Sequence, residues 1–298
     1  MAAPDIEASG VDAGMGDHHR SRVRGRRLAD RTITYLLYAA LSLIVLFPLA
    51  WVLLGSFKNP SEIFAYPTSF WPRDFTWTNY ADVIRRTALP TYLFNTFVVT
   101  IFTLVLTLGF ATVAAYGFSR WDFRYKDVIL VALLVLQLIP STVNIVPYYM
   151  MMNWLHLLNT HAGLIVIYTA SHIPFAVWIM KGFFDTLPRS LDEAAVIDGC
   201  SMFRVFWSII LPLSLPGLSA AGFLVFLAAW GEFLIPLVIA NSREVAVMSV
   251  GLYSFFGTDT TQYHYAFAAS VMSTAPVILA YLFAQEYLVS GLASGAEK

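Results

Sequence analysis

Long apolar runs separated by short polar segments dominate the chain. A helix needs about 20 mainly apolar residues to cross a bilayer. Six runs approach or exceed that length, at roughly residues 33–54, 92–118, 128–150, 162–180, 213–240 and 265–289. Pro140 interrupts the third run and Pro174 lies inside the fourth, and each proline removes a backbone hydrogen bond from a helix. The pattern predicts an all-α membrane protein with six transmembrane helices.

Composition supports a membrane protein and narrows its chemistry. The chain is 58% hydrophobic and 12% charged, whereas a soluble domain is about half apolar and a quarter charged. The single cysteine, Cys200, excludes an intrachain disulfide. The sequence contains no HExxH or CxxC motif and no glycine-rich loop with a phosphate-binding lysine. We therefore predict no metal site and no cofactor, and we expect ATP binding to be absent from this chain.

The distribution of positive charge predicts the orientation. Residues 1–30 are rich in Gly, Ala, Asp and Arg, so we expect a disordered basic tail before a six-span domain over 31–298. Its arginines favour a topological signal over a patch for nucleic acid or lipid. With the tail inside, thirteen of the 18 Lys and Arg residues fall in inner segments and five in outer ones. This bias predicts that both termini are cytoplasmic.

The polar loop over residues 181–212 separates the fourth and fifth runs on the predicted cytoplasmic side. Ser190 with Glu193 matches a capping box, which predicts a helix start. Gly199 is a typical left-handed helix stop, and Ser201 can cap the next helix. Ala194 and Ala195 are small enough for another backbone to approach closely. An ordinary well-capped loop would explain these signals taken alone.

The longer spacing in this loop resembles a known motif. Glu193-Ala194-Ala195 is followed after three residues by Gly199, and after nine more by Ile-x-Leu-Pro at residues 209–212. This arrangement is similar to the EAA loop of permease subunits of binding-protein-dependent ABC importers. The resemblance implies that the loop contains a coupling helix that docks on a separate ATP-hydrolysing subunit. The residues that it implicates in coupling are Leu191, Glu193, Ala194, Ala195, Asp198, Gly199 and Phe203.

Further stretches resemble the carbohydrate-uptake branch of these permeases, most of all the maltose-type second permease subunit. They are residues 47–48, 56–58, 75–80, 95–96, 114–120, 157–160, 230–233 and 291–296. Gly231 departs from the branch, which has asparagine there. The resemblance implies an inner-membrane importer of oligosaccharides or disaccharides. Its implied partners are a dimer of ATP-binding cassette ATPase subunits, a second homologous permease and an extracytoplasmic solute-binding protein.

Polar residues within or near the apolar runs are the candidates for the substrate pathway. Glu232 is the strongly ionisable residue that lies well inside a run, since Glu286 falls near the end of the sixth run, and a carboxylate in the bilayer must face a cavity or a partner. Either a pathway-facing acceptor or a structural hydrogen bond to a neighbouring helix would meet that need. The other pathway candidates are Asn95, Gln137, Asn144 and Trp230. Each alone is more typical of contacts between helices than of a ligand site.

Two other functions fit parts of the pattern. An ion-coupled secondary transporter would act without an ATPase, but it needs clustered intramembrane charges and usually internal repeats. Glu232 alone is not a cluster of charges, and the sequence shows no visible repeat. A membrane enzyme, such as a lipid-linked glycosyl transferase, would need paired acidic groups or a metal cluster. Asp192-Glu193 is the only adjacent acidic pair, and the alanines after it favour docking. We therefore predict a transporter permease subunit rather than an enzyme.

Overall fold

The computed structural model describes the backbone of residues 13–256 and 262–296, and the side chains of residues 31–256 and 262–287. All regular structure in these residues is helical. Four helices are long and apolar enough to cross a membrane, and two bent helix pairs bring the number to six if each pair counts as one span. The chain divides into two compact units, one up to Leu54 and one from Gly55 onward.

The first unit is built from one long helix. Helix α1 spans Ala13–Gly55, and its part from Arg31 onward has a mean hydropathy of 2.4. Residues 13–30 of the predicted tail belong to this helix, and residues 1–12 lie outside the described residues. The predicted division of the chain at residue 30 stays a prediction.

The second unit is organised around two parallel helices that pack along their length. Helix α4 spans Leu89–Arg120 and helix α7 spans His161–Phe184. Ala111 and Ala115, at small-xxx-small spacing on α4, are fully buried in one core with Ala176 of α7. Small side chains let the two backbones approach, which is the usual basis of close packing between membrane helices.

The third predicted span breaks at Pro140. Helix α5 (Lys126–Gln137) is followed by a 3-10 turn and helix α6 (Ile145–Trp154), and the two parts are bent by 88°. Proline lacks the N–H that would continue the helix, which explains the break. Pro174, in contrast, remains inside α7.

The fifth predicted span, residues 213–240, is also not one continuous helix. A limb of α9 (Met202–Val205), a π-helical turn and α10 (Leu211–Leu213) leads into α11 (Leu215–Gly231) with a bend of 75°. The chain breaks again at Glu232 before α12, Leu234–Ile239. The break at Glu232 leaves carbonyl groups at the end of α11 and amide groups at the start of α12 without helical partners, and nearby side chains must bond to them.

Short helices close the end of the second unit where α4 and α7 begin. They are α2 (Pro60–Ile63), α3 (Thr78–Arg86) and α13 (Met248–Tyr253), and α14 (Tyr263–Ala296) starts beside them. Asn79 is buried, and its Nδ2 donates to the carbonyl oxygens of Ser56 and Lys58 at 2.8 and 2.9 Å. Val83 of α3 packs against Ala268 and Ala269 of α14 in a shared core. The segment after α1 thus folds onto this end.

Candidate functional site

Helix α8, Ser190–Ile197, occupies the polar loop at the end of the unit where α4 and α7 finish. The N-cap residue is Arg189, and Ser190 lies inside the first turn without a capping bond. The Arg189 carbonyl accepts the amides of Asp192 and Glu193 at 3.0 and 3.2 Å. The predicted capping box between Ser190 and Glu193 is therefore wrong, because the helix begins one residue earlier than that motif requires.

The end of α8 follows the sequence closely. Gly199 has φ of +86°, the left-handed conformation that glycine adopts without steric cost. Its amide donates to the Val196 carbonyl, and the Cys200 amide donates to the Ala195 carbonyl, each at 3.0 Å. This pair of bonds is a Schellman motif. Ser201 then caps α9, since its Oγ accepts the Arg204 amide, so both predicted caps are confirmed.

One face of α8 is fixed to the end of α4 by a buried carboxylate. Asp192 is 7% exposed. Its Oδ1 accepts a hydrogen bond of 2.6 Å from the Tyr116 hydroxyl, and its Oδ2 lies 2.9 Å from Nε of Arg120. The contact between Arg120 and Asp192 is an ion pair, but its geometry is not that of a hydrogen bond. Arg120 also donates from Nη1 to the Phe184 carbonyl at 3.1 Å, which adds the end of α7.

Further bonds complete what we call the α4–α8 junction: Tyr116, Ser119, Arg120, Asp185, Arg189 and Asp192. Ser119 donates to Asp185 Oδ1 at 2.7 Å, and Arg189 donates to the Ser119 carbonyl at 3.0 Å. Lys181 binds the other oxygen of Asp185 at 2.7 Å. Sequence reasoning missed this junction. The signal for this junction in the sequence was a run of polar residues at the end of an apolar span. The residues to which they bond could be identified only from the fold.

The opposite face of α8 and the turn after it expose apolar groups. Ile197 is 85% exposed and Phe203 is 75% exposed, with Leu191 at the edge of the same surface. Glu193, Ala194, Asp198 and Gly199 are exposed with them. Ala195 instead points into the core, where Val205 and Phe206 are also buried. Of the predicted coupling residues, Ala195 is therefore buried and the others are exposed. Of the two alanines expected to allow close approach of another backbone, only Ala195 is packed in the core.

A cavity of about 550 Å³ opens beside the breaks in the third and fifth spans. Three of the predicted pathway residues line it: Gln137, Asn144 and Glu232. Ser141, Tyr148 and His172 also line it. Gln137 Nε2 donates to the Ser171 carbonyl at 3.0 Å. The broken helices thus bring polar groups from distant parts of the sequence to one membrane cavity.

Glu232 satisfies its charge within its own segment. Its Oε1 accepts hydrogen bonds of 3.1, 3.0 and 3.3 Å from the amides of Phe233, Leu234 and Ile235, the exposed donors at the start of α12. Its carbonyl accepts from Ser249 Oγ at 2.6 Å. A carboxylate at a helix N-terminus is stabilised by the helix dipole. Glu232 is therefore a helix cap that also borders the cavity.

The other two predicted pathway residues lie outside this cavity. Asn95 is 3% exposed, and its Nδ2 donates to the carbonyls of Glu244 and Ala246 at 2.9 Å each. Trp230 is also buried, and its Nε1 donates to the Ser273 carbonyl at 3.1 Å. The polar groups of both side chains are thus engaged in contacts between segments of the protein.

A bundle of apolar helices with two broken spans, an open cavity partly lined by polar groups and a short anchored helix with exposed apolar side chains is the architecture expected of a membrane transport subunit. The comparison with known families agrees. Residues 107–294 match the family described as binding-protein-dependent transport system inner membrane component. This match covers more than half of the chain, so the chain belongs to that family. It is a permease component and not itself an enzyme.

Individual relatives support the same assignment over most of the chain. The maltodextrin transport system permease protein MalD of Streptococcus pneumoniae is 29% identical over 93% of this chain and 98% of its own. The arabinooligosaccharides transport system permease protein AraQ of Bacillus subtilis is 33% identical over 88% of this chain and 94% of its own. Both are, by name, permease proteins of saccharide transport systems, as the resemblance in the sequence predicts.

A solved structure confirms the fold. A chain of a bacterial ABC transporter involved in the import of the acidic polysaccharide alginate superposes with a TM-score of 0.76. It covers 89% of this chain and 98% of its own, at 22% identity. At that identity the likeness establishes the fold alone. The family assignment favours an importer permease over the ion-coupled transporter and the membrane enzyme that the sequence left open.

Proposed function

We propose that this chain is a permease subunit of an ATP-driven importer of neutral oligosaccharides, and that α8 is its coupling helix. The observation that carries the proposal is the division of α8 into two faces. Asp192 and Ala195 hold one face of α8 in the bundle, while Ile197 at the end of α8 and Phe203 on α9 expose most of their apolar side chains. Exposed apolar surface of this kind in a polar loop is typical of a protein contact.

A separate ATPase subunit is the partner that this surface fits. The exposed residues Leu191, Ile197 and Phe203 would fill an apolar cleft, and the carboxylates of Glu193 and Asp198 would meet cations at its rim. The bias of Lys and Arg supports a cytoplasmic position for α8, where ATP is available. We propose six spans in the cytoplasmic membrane with both termini inside, counting each bent pair as one span.

The other partners follow from the family. Its members are components of binding-protein-dependent systems, so we propose that a solute-binding protein docks at the outer end, where α2, α3 and α13 lie. We also propose a second, homologous permease and a dimer of ATP-binding cassette subunits. ATP binding would close that dimer and drive the permease between two conformations by differential contacts.

The chemistry of the cavity supports a neutral polyhydroxylated solute. Gln137, Asn144 and His172 offer amide and imidazole groups to solute hydroxyls, and of the described residues that line the cavity none is Lys or Arg. The carboxylate of Glu232 is already paired with three amides. An anionic sugar would lose its hydration there without a cation to replace it, which is costly. MalD and AraQ are named for neutral saccharides, whereas the solved structure with the same fold belongs to an importer of an acidic polysaccharide.

Replacing Glu193 tests the coupling role of α8. We expect Glu193→Ala to reduce both the copurification of the cognate ATPase and ATP-dependent uptake at least tenfold. A tenfold reduction corresponds to a loss of about 1.4 kcal/mol of binding free energy at the contact. Because Glu193 is exposed, the permease should keep its melting temperature. Asp127→Ala, at an exposed carboxylate outside α8, is the matched control. Unchanged association and uptake in Glu193→Ala would contradict the proposal.

A further inference from the structure

We propose that the force applied to α8 enters the membrane through the α4–α8 junction, with Asp192 as its central positioning residue. The inference rests on the proposed function of α8. It adds that α8 moves α4 and α7 directly through side-chain contacts, rather than acting only along the chain through α9 and α10 into α11. Tyr116 and Arg120 are then positioning residues for transport.

The contacts of α8 determine which helices follow it. Asp192 binds Tyr116 and Arg120 on α4, and Arg120 reaches the Phe184 carbonyl at the end of α7. On the other route, α8 ends at the left-handed Gly199, and the limb after it meets α11 at a bend of 75°. The route along the chain thus contains a turn and a sharp bend, while the junction joins α8 to two long helices by buried polar contacts.

The junction is suited to act as one rigid piece because its groups are desolvated. The side chains of Arg120 and Asp192 are 6% and 10% exposed. Separating a buried ion pair leaves a charge uncompensated, so the pair resists being pulled apart even when its formation adds little net stability. The Tyr116 ring adds a contact with Phe184 of α7 at a centroid distance of 5.8 Å. A displacement of α8 is therefore passed to α4 and α7.

The end of this route is the cavity. Helix α7 carries Ser171 and His172, which line the cavity, and Gln137 bonds to the Ser171 carbonyl. Helix α4 packs along α7 and shares the core that holds Ala111 and Ala176. Motion of the α4–α7 pair would therefore change access to the cavity wall about Gln137. This links the docking surface to the cavity by contacts between named side chains.

The test measures cavity access in the assembled importer, with no solute required. In a Cys200→Ser background, Gln137→Cys is reacted with a membrane-impermeant maleimide, without nucleotide and with ATP plus vanadate. We expect nucleotide to change the labelling rate when the junction is intact. Asp192→Asn should reduce that response roughly fivefold, within the range by which single contacts modulate coupling, while the ATPase still copurifies. Tyr116→Phe keeps the ring contacts and removes one hydroxyl, so it should reduce the response less.

A double variant and a control separate transmission from general damage. Because both side chains act through one contact, Tyr116→Phe combined with Asp192→Ala, which removes both acceptor oxygens, should be no worse than Asp192→Ala alone. Asp127→Asn should keep the full response, because its carboxylate is exposed and belongs to α5 rather than to the junction.

The outcomes distinguish the two proposals. A full nucleotide response in Asp192→Asn with the ATPase bound, or effects that multiply in the double variant, would overturn the junction as the route. If Asp192→Asn fails to assemble, Tyr116→Phe decides: a full response there also overturns the route. Absence of ATPase from the assembly with an intact junction would instead contradict the proposed docking of α8, and the route with it.

Discussion

Several side chains in this protein bind backbone groups of segments far away in sequence. Asn95 at the start of α4 holds the loop before α13, and Asn159 Oδ1 accepts the amides of Asn241 and Ser242 at 3.1 Å each. Thr96 Oγ1 accepts the Met248 amide at 2.7 Å. These residues fall in stretches that resemble the sugar-uptake branch, and the structure supplies a physical reason for their presence: they satisfy loop backbone that no helix ladder can pair.

Removing the amide of Asn95 should therefore destabilise the protein. Asn95→Ala leaves the carbonyls of Glu244 and Ala246 without their buried donor, at a cost of about 2 kcal/mol. The melting temperature in detergent should fall by about 5 °C. Asn153→Ala, at an exposed position on α6, should leave it unchanged. Equal melting temperatures for the two variants would show that the Asn95 bonds do not hold the loop.

At the scale of elements, local signals predicted some boundaries and missed others. Gly199 and Ser201 act through backbone only a few residues away, so their caps could be predicted. The Ser190 capping box was equally local, but the turn closed on the Arg189 carbonyl instead. Glu232 lies in an apolar run that predicts one helix, and its role as a cap depends on a break that hydropathy does not show. The partner of Asp192 lies 76 residues away in sequence, beyond any local pattern.

Helix α7 offers a matched pair of glycines to test close packing at its start. A Cβ on Gly163 would lie 2.4 Å from the carbonyl oxygen of Leu157, a backbone atom that cannot rotate away. A Cβ on Gly182 in the same helix would meet nothing within 4 Å.

We expect Gly163→Ala to destabilise the protein by about 2–3 kcal/mol through overpacking. Gly182→Ala should be neutral or stabilise it by up to about 1 kcal/mol, since alanine favours a helix. Thermal unfolding of both variants in one detergent measures the difference. A loss of stability in Gly182→Ala as large as that in Gly163→Ala would show that the start of α7 is not specially tight.

At the scale of the whole molecule, the second unit has the proposed docking surface of α8 at one end, a loop region at the other, and a cavity partly lined by polar groups. The number and nature of the apolar runs could be predicted from the sequence, because bilayer thickness fixes their length. The cavity could not, because it forms where two broken spans meet and α7 passes between them. Gln137, Asn144 and Glu232 became neighbours only through those breaks.

Cross-linking at Ile197 tests the central claim most directly, because this side chain is 85% exposed on α8. In the Cys200→Ser background, Ile197→Cys in the assembled importer is treated with a thiol-to-amine cross-linker in inside-out and right-side-out vesicles. We predict a product with the ATPase subunit, and labelling by an impermeant maleimide only in inside-out vesicles. Labelling only in right-side-out vesicles, or no product with the ATPase in a complex that contains it, would contradict the account.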